Sequence, residues 1–170
     1  MNETRHGTLY GFFAADHARL AEHFDRATAD PRAIDRDAYA VFRQGLLRHI
    51  GLEEKILLPF AKRAQRGEPL SMAKQLRREH ATIASLLVPT PTPEIVTSLR
   101  SILAHHNARE EGPGGLYEAC EALVENDVEP LLARLRAAPE VSVNPHVDNE
   151  RAQRSIANHL HRIGFDEYAR

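Results

Sequence analysis

The chain has 170 residues, and its 22 Lys and Arg against 24 Asp and Glu leave a formal charge of −2 with histidine neutral. That length suits one domain able to bury roughly 70% of its unfolded surface, and a near-neutral balance without a basic block excludes the electrostatic footprint of a nucleic-acid partner. A single cysteine, Cys120, excludes an intrachain disulfide and a thiolate metal cage, whereas ten histidines against two methionines and no tryptophan stand out.

No apolar run approaches the ~18 residues of a membrane span, and the opening Met1, Asn2, Glu3, Thr4, Arg5 and His6 lack the apolar segment of a signal peptide. A cytoplasmic protein without membrane association is expected. Leu9, Phe13, His17, Leu20 and Phe24 then recur every three or four residues and define one helix face, closed by Asp30-Pro31. A second helix is predicted from near Asp35, with Tyr39, Phe42, Leu46, His49, Glu53, Ile56 and Phe60 in a heptad-like stripe. Pro59 inside that stripe predicts a kink or an end.

A third helix carries Met72, Leu76, His80, Ile83 and Leu87 on one face, and Pro89, Pro91 and Pro93 end it. Thr92 is the expected N-cap of a fourth helix, with Pro93 in its first turn and Val96, Leu99, Leu103, His106 and Glu110 facing inward. Gly112-Pro113-Gly114-Gly115 predicts a break before helical pattern resumes from about Leu116 to Leu135. Val141 to Asn149 reads as a loop and Glu150 to Ile163 as a short amphipathic helix. The expected fold is all-α: an antiparallel up-down four-helix bundle over residues 1–138. Residues 139–170 are expected to form a loop and short helix packing on or extending from it.

Polar residues interrupt these apolar stripes at His17, His49, Glu53, His80, His106 and Glu110. Burying an unpaired carboxylate is costly, so two glutamates on core faces need a partner. His49-Glu53 and His106-Glu110 are two copies of H-x-x-x-E, and residues at i and i+4 share a helix face. Four imidazoles and two carboxylates that are able to bridge fit a dinuclear metal site, whereas one tetrahedral zinc leaves part of the set unused. Ferritin-like sites use Glu-x-x-His and more carboxylates, so this nitrogen-rich set with the reverse order argues against them.

Asp16-His17, the run His49-Ile50-Gly51-Leu52-Glu53-Glu54 leading to Leu57-Leu58-Pro59, Glu79-His80, and His106 through Glu110-Glu111 resemble the hemerythrin-like HHE cation-binding family over about residues 5 to 135. The resemblance implies a four-helix bundle around an oxo- or hydroxo-bridged di-iron centre. It further implies that Glu53 and Glu110 bridge, that His17 and His49 serve one iron, and that His80 and His106 serve the other. The oxygen-carrying members have a further third-helix histidine where this chain has Ala84, and they close the fourth-helix motif with aspartate one residue further on. Glu79, Glu111, Glu54, His105 or a water are the alternatives for the missing ligand.

The expectation is a non-haem protein holding two iron ions, in a donor set that also accepts zinc or manganese. Its small ligand is expected to be O2, NO or peroxide, bound for sensing, storage or detoxification. The alternatives are a di-iron oxidase, peroxidase or nitric oxide reductase using an open iron position, and an iron- or zinc-responsive interaction module. His6 is expected to line the bundle mouth, His105 to take an outer role, and Cys120 to be a buried thiol.

Overall fold

A computed structural model describes residues 8–30, 32–124 and 128–165, and every regular element among them is helical. The elements are α1 (Leu9–Ala27), α2 (Arg36–Leu52), a π-helical turn (Glu53–Leu57), α3 (Leu58–Ala64), α4 (Ala73–Leu86), α5 (Pro93–Glu111), α6 (Leu116–Glu121), α7 (Glu129–Arg136) and α8 (Glu150–Ile163). The expected His6 position and the Pro31 stop lie outside the described residues.

Local chemistry sets the starts of these helices. Thr8 Oγ1 accepts from the Gly11 N–H, Asp35 from Asp37 and Ala38, Thr92 from Ile95, and Asn149 from Ala152. Each satisfies an N–H that a first turn otherwise leaves unpaired. Side-chain pairs fix the directions. Asp16 meets His49 while Phe24 meets Phe42, Glu54 meets His80 while Arg43 meets Leu87, and His17 meets Glu111 while Asp25 meets Arg100. Each partner number falls as the other rises, so α1 and α2, α2 and α4, and α1 and α5 run antiparallel.

The helical path does not end at Pro59, and the expected disruption takes the form of a change of helix type. The chain widens into the π-helical turn just before Pro59, with the Leu58 N–H bonded to the Glu53 carbonyl. Proline cannot donate and its ring crowds the carbonyl four residues earlier, and a π turn accommodates this by inserting one residue into the turn. The inward stripe shifts by one as a result. Leu57 and Ala61 are fully buried, and the expected Phe60 is only partly so. The helix expected from Leu116 to Leu135 is likewise two shorter pieces, α6 and α7.

The core is divided in two. One apolar cluster holds Leu20, Phe24, Phe42, Leu46, Ile83 and Leu99, joined by Ile156 and Ile163 of α8. The other holds Leu9, Phe13, Leu52, Leu57 and Leu76, closed by Leu116, Tyr117 and Cys120 of α6 and Leu132 and Leu135 of α7. His17, His49 and His80 each lie along their helices between members of the two clusters, and His106 follows Leu99 and Ile102 of the first cluster on α5, with Leu116 of the second just beyond that helix. A polar layer is thus sandwiched between two apolar ones. No described helix is long and apolar enough to cross a membrane.

Candidate metal centre

All six inward polar residues read from the sequence are buried, with Glu53 and Glu110 at 0% exposure. They form two groups, Glu53 with His80, His106 and Glu110, and His17 with His49 and Glu110, in which one donor atom of each lies within 4.8 Å of the others. The two carboxylates connect the groups. Glu53 places Oε1 3.5 Å from His49 Nε2 and Oε2 3.1 Å from His80 Nε2. Glu110 places Oε2 3.4 Å from His17 Nε2 and Oε1 3.2 Å from His106 Nε2.

The outer nitrogens are all held. His17 Nδ1 lies 2.5 Å from Glu111, His49 Nδ1 2.9 Å from Asp16, His80 Nδ1 2.7 Å from Glu54, and His106 Nδ1 3.0 Å from Glu79. Each holding carboxylate directly neighbours an inward residue in sequence: Asp16 beside His17, Glu54 beside Glu53, Glu79 beside His80, and Glu111 beside Glu110. The result is a closed ring from α1 to α2 to α4 to α5 and back to α1. A carboxylate at Nδ1 selects the tautomer with its proton there, so Nε2 faces the centre as a lone-pair donor, as metal-ligating imidazoles require.

This ring bears on the ligand absent at Ala84. Glu54, Glu79 and Glu111 are committed to outer nitrogens. His105 is exposed, and its Nδ1 lies 3.0 Å from the Ser101 carbonyl of its own helix. None of these four joins the inner groups.

Burial opposes charge on His49, yet the Glu53 carboxylate and the bond to Asp16 outweigh it and raise the pKa to about 10. Against the same burial, the neighbouring carboxylates of Glu110, Glu53 and Glu54 raise His80 to about 11. Burial resists ionisation of Glu53, but His49 and His80 hold it well below the usual carboxylate range. Without metal, protons on imidazole therefore compensate the buried carboxylates, and these are the protons that cations displace on binding. Even so, Glu53 Oε2, His80 Nε2 and Glu110 Oε1 are buried and make no well-directed hydrogen bond, although His80 Nε2 lies 3.1 Å from the first oxygen and 3.6 Å from the second. Three orphaned polar atoms converging on one volume fit a cation there, since buried polar atoms are otherwise nearly always satisfied.

Sequence reasoning missed Tyr117. Its hydroxyl is buried, donates to Glu53 Oε1 at 2.8 Å and lies 3.1 Å from Glu110 Oε2. The ring stacks on Phe13 at 4.8 Å between centroids. Burial, then Glu53 and Glu110, push its pKa well above the ordinary phenol value. The glycine-rich break makes this approach possible. A Cβ on Gly115 would lie 2.5 Å from the Glu110 carbonyl oxygen, so only glycine lets the chain turn tightly against the end of α5 and return Tyr117 to the centre. Cys120, one turn of α6 further on, is buried as expected, and burial with the Glu53 charge pushes its thiol to about 12.

Beside the centre lies a cavity of about 210 Å³ bounded by His17, Leu20, Phe24, Phe42, Leu103 and Asn107, among others. Its wall is mostly apolar, and Asn107 Oδ1 is buried there without a hydrogen-bond partner.

A helical bundle with a buried histidine–carboxylate layer of this kind defines a cation-binding helical protein. The profile of the hemerythrin HHE cation binding domain matches residues 8–113, and the chain belongs to that family. No curated protein and no solved structure gave a match to the chain.

Proposed function

We propose that this protein is a non-haem di-iron protein that binds O2 or a related small ligand, NO or peroxide, for sensing, storage or detoxification. The observation that carries the reading is that Glu53 and Glu110 each turn one oxygen to the His17/His49 pair and the other to the His80/His106 pair. Two carboxylates so placed could each bridge two nitrogen-ligated cations. His17, His49, His80, His106, Glu53 and Glu110 would hold the metals. Iron held there supplies redox chemistry and positions at which a small ligand binds. The chain's own part is to hold Nε2 atoms inward through the carboxylate ring, to keep bulk water out with the two apolar clusters, and to admit a small molecule through the cavity at His17.

The test is metal analysis of anaerobically purified protein with absorption spectra before and after air. Two irons per chain, with a charge-transfer band that rises in O2 and fades under vacuum, supports reversible ligand binding. Absence of iron, or one zinc per chain, overturns the reading.

A second reading, turnover of peroxide or NO, draws on Ala84. Only a methyl group stands where oxygen carriers have a histidine, and no neighbouring carboxylate takes its place. Ala84→His is then expected to raise reversible O2 binding and suppress turnover. An unchanged turnover rate counts against it.

A further inference from the structure

We propose that Tyr117 is a protein ligand to the metal held by His17 and His49, so that the two metal positions are chemically unequal. The inference rests on the di-iron reading above but adds a donor from beyond the residues matched by the family profile, which end at 113.

The Tyr117 hydroxyl is surrounded by four prospective donors at near-equal range: Glu53 Oε1 at 2.8 Å, Glu110 Oε2 at 3.1 Å, His17 Nε2 at 3.3 Å and His49 Nε2 at 3.4 Å. With metal bonds of roughly 2.1 Å, neighbouring donors on one metal lie about 3.0 Å apart at right angles and about 3.4 Å apart in a tetrahedron. The spacing of this oxygen from all four atoms is therefore that of a fifth donor sharing their metal. Of the four histidines, it is His17 and His49 that the Tyr117 hydroxyl reaches, which assigns it to one of the two metal positions. The ring cannot easily swing away, being stacked on Phe13 and edge-on to Tyr10. Phenolate is an established iron ligand. On binding, the O–H bond breaks, its proton leaves to water, and the oxygen takes its place on the cation with no change of oxidation state.

The experiment is ferric loading of the full chain, followed by iron counting, visible absorption and resonance Raman spectroscopy, on the native protein and on Tyr117→Phe. The phenylalanine keeps the stack on Phe13, so the variant is expected to fold. The expected result is a phenolate-to-iron band with enhanced tyrosine ring modes in the native protein. Both vanish in Tyr117→Phe, and iron affinity at one of two positions falls about tenfold or more. Two irons bound in the native protein without phenolate modes overturns the proposal alone. The same modes persisting in the variant also overturns it, since they then belong to another tyrosine. Failure to bind iron at all overturns this proposal together with the di-iron reading.

Discussion

The carboxylate of Asp16 lies 2.9 Å from Nδ1 of His49 across the α1–α2 interface, while the very next residue, His17, turns its own Nδ1 to Glu111 on α5. Adjacent residues on one helix thus serve the cluster from opposite sides, one as an inward donor and one as the brace of a neighbour's donor. Bracing fixes tautomer, ring orientation and basicity, and its loss typically weakens metal affinity by roughly 10- to 100-fold. Asp16→Asn keeps the shape and one acceptor but removes the charge. Competition against a chelator is expected to show weakening of that size, with helical circular dichroism unchanged. Equal affinity in the two proteins would mean that Asp16 does not tune His49.

The same geometry separates the glutamates from the histidines. Glu53 and Glu110 each face both histidine pairs, whereas His106 belongs to one pair alone. Glu53→Ala is therefore expected to lose both metals together, and His106→Ala to lose one while the His17/His49 position still fills. Metal-to-protein ratios after desalting decide this. A Glu53→Ala protein that retains one tightly bound metal argues against a bridging role.

Much of this centre was legible because its donors obey helical periodicity. His17, His49, Glu53, His80, His106 and Glu110 lie on apolar stripes, and a charged residue there is conspicuous. Asp35, Thr92 and the Glu150–Ile163 helix were legible from capping and amphipathic pattern. The braces were harder to read. Asp16, Glu54, Glu79 and Glu111 sit one residue, about 100°, off their stripes, where solvated carboxylates are ordinary, and only the packing of four helices shows what each reaches. The π-helical turn at Glu53–Leu57 was hidden because Pro59 signals a disruption without saying how the chain absorbs it. Tyr117 was hidden more deeply, since its approach depends on the path through Gly112–Gly115, which carries no period.

Metal removal has a predictable stability cost. The two apolar clusters flank the polar layer on both sides, so the metal-free bundle is expected to remain folded, with protons compensating the buried carboxylates. A ligand that binds only the folded state adds about 4 kcal/mol at a thousandfold excess over its Kd, which for a chain of this size moves Tm by on the order of 10 °C. Thermal unfolding with and without chelator measures it. Coincident curves would show that the cluster binds metal too weakly to matter.

The connection to α8 rests on side chains of α2. Residues 138–148 have no regular structure, and α2 donates to their carbonyls: Gln44 to Val141 at 3.2 Å, Arg48 to Ala138 at 3.1 Å, and Arg43 to Asn144 at 2.9 Å. Arg43 is buried and also donates to the Leu87 carbonyl at 2.7 Å, so one guanidinium ties the connection to the end of α4. Hydrogen bonds from charged donors contribute roughly 1.5–3 kcal/mol each. Arg43→Met fills most of the same volume but leaves both carbonyls unpaired. It is expected to speed proteolysis within 139–149 at least tenfold while metal content stays the same, because Arg43 lies nearly two turns from His49 and touches none of the donors. Cleavage at the native rate would place the hold on this connection elsewhere, in the packing of Ile156 and Ile163 or in the Thr90–Asp148 bond.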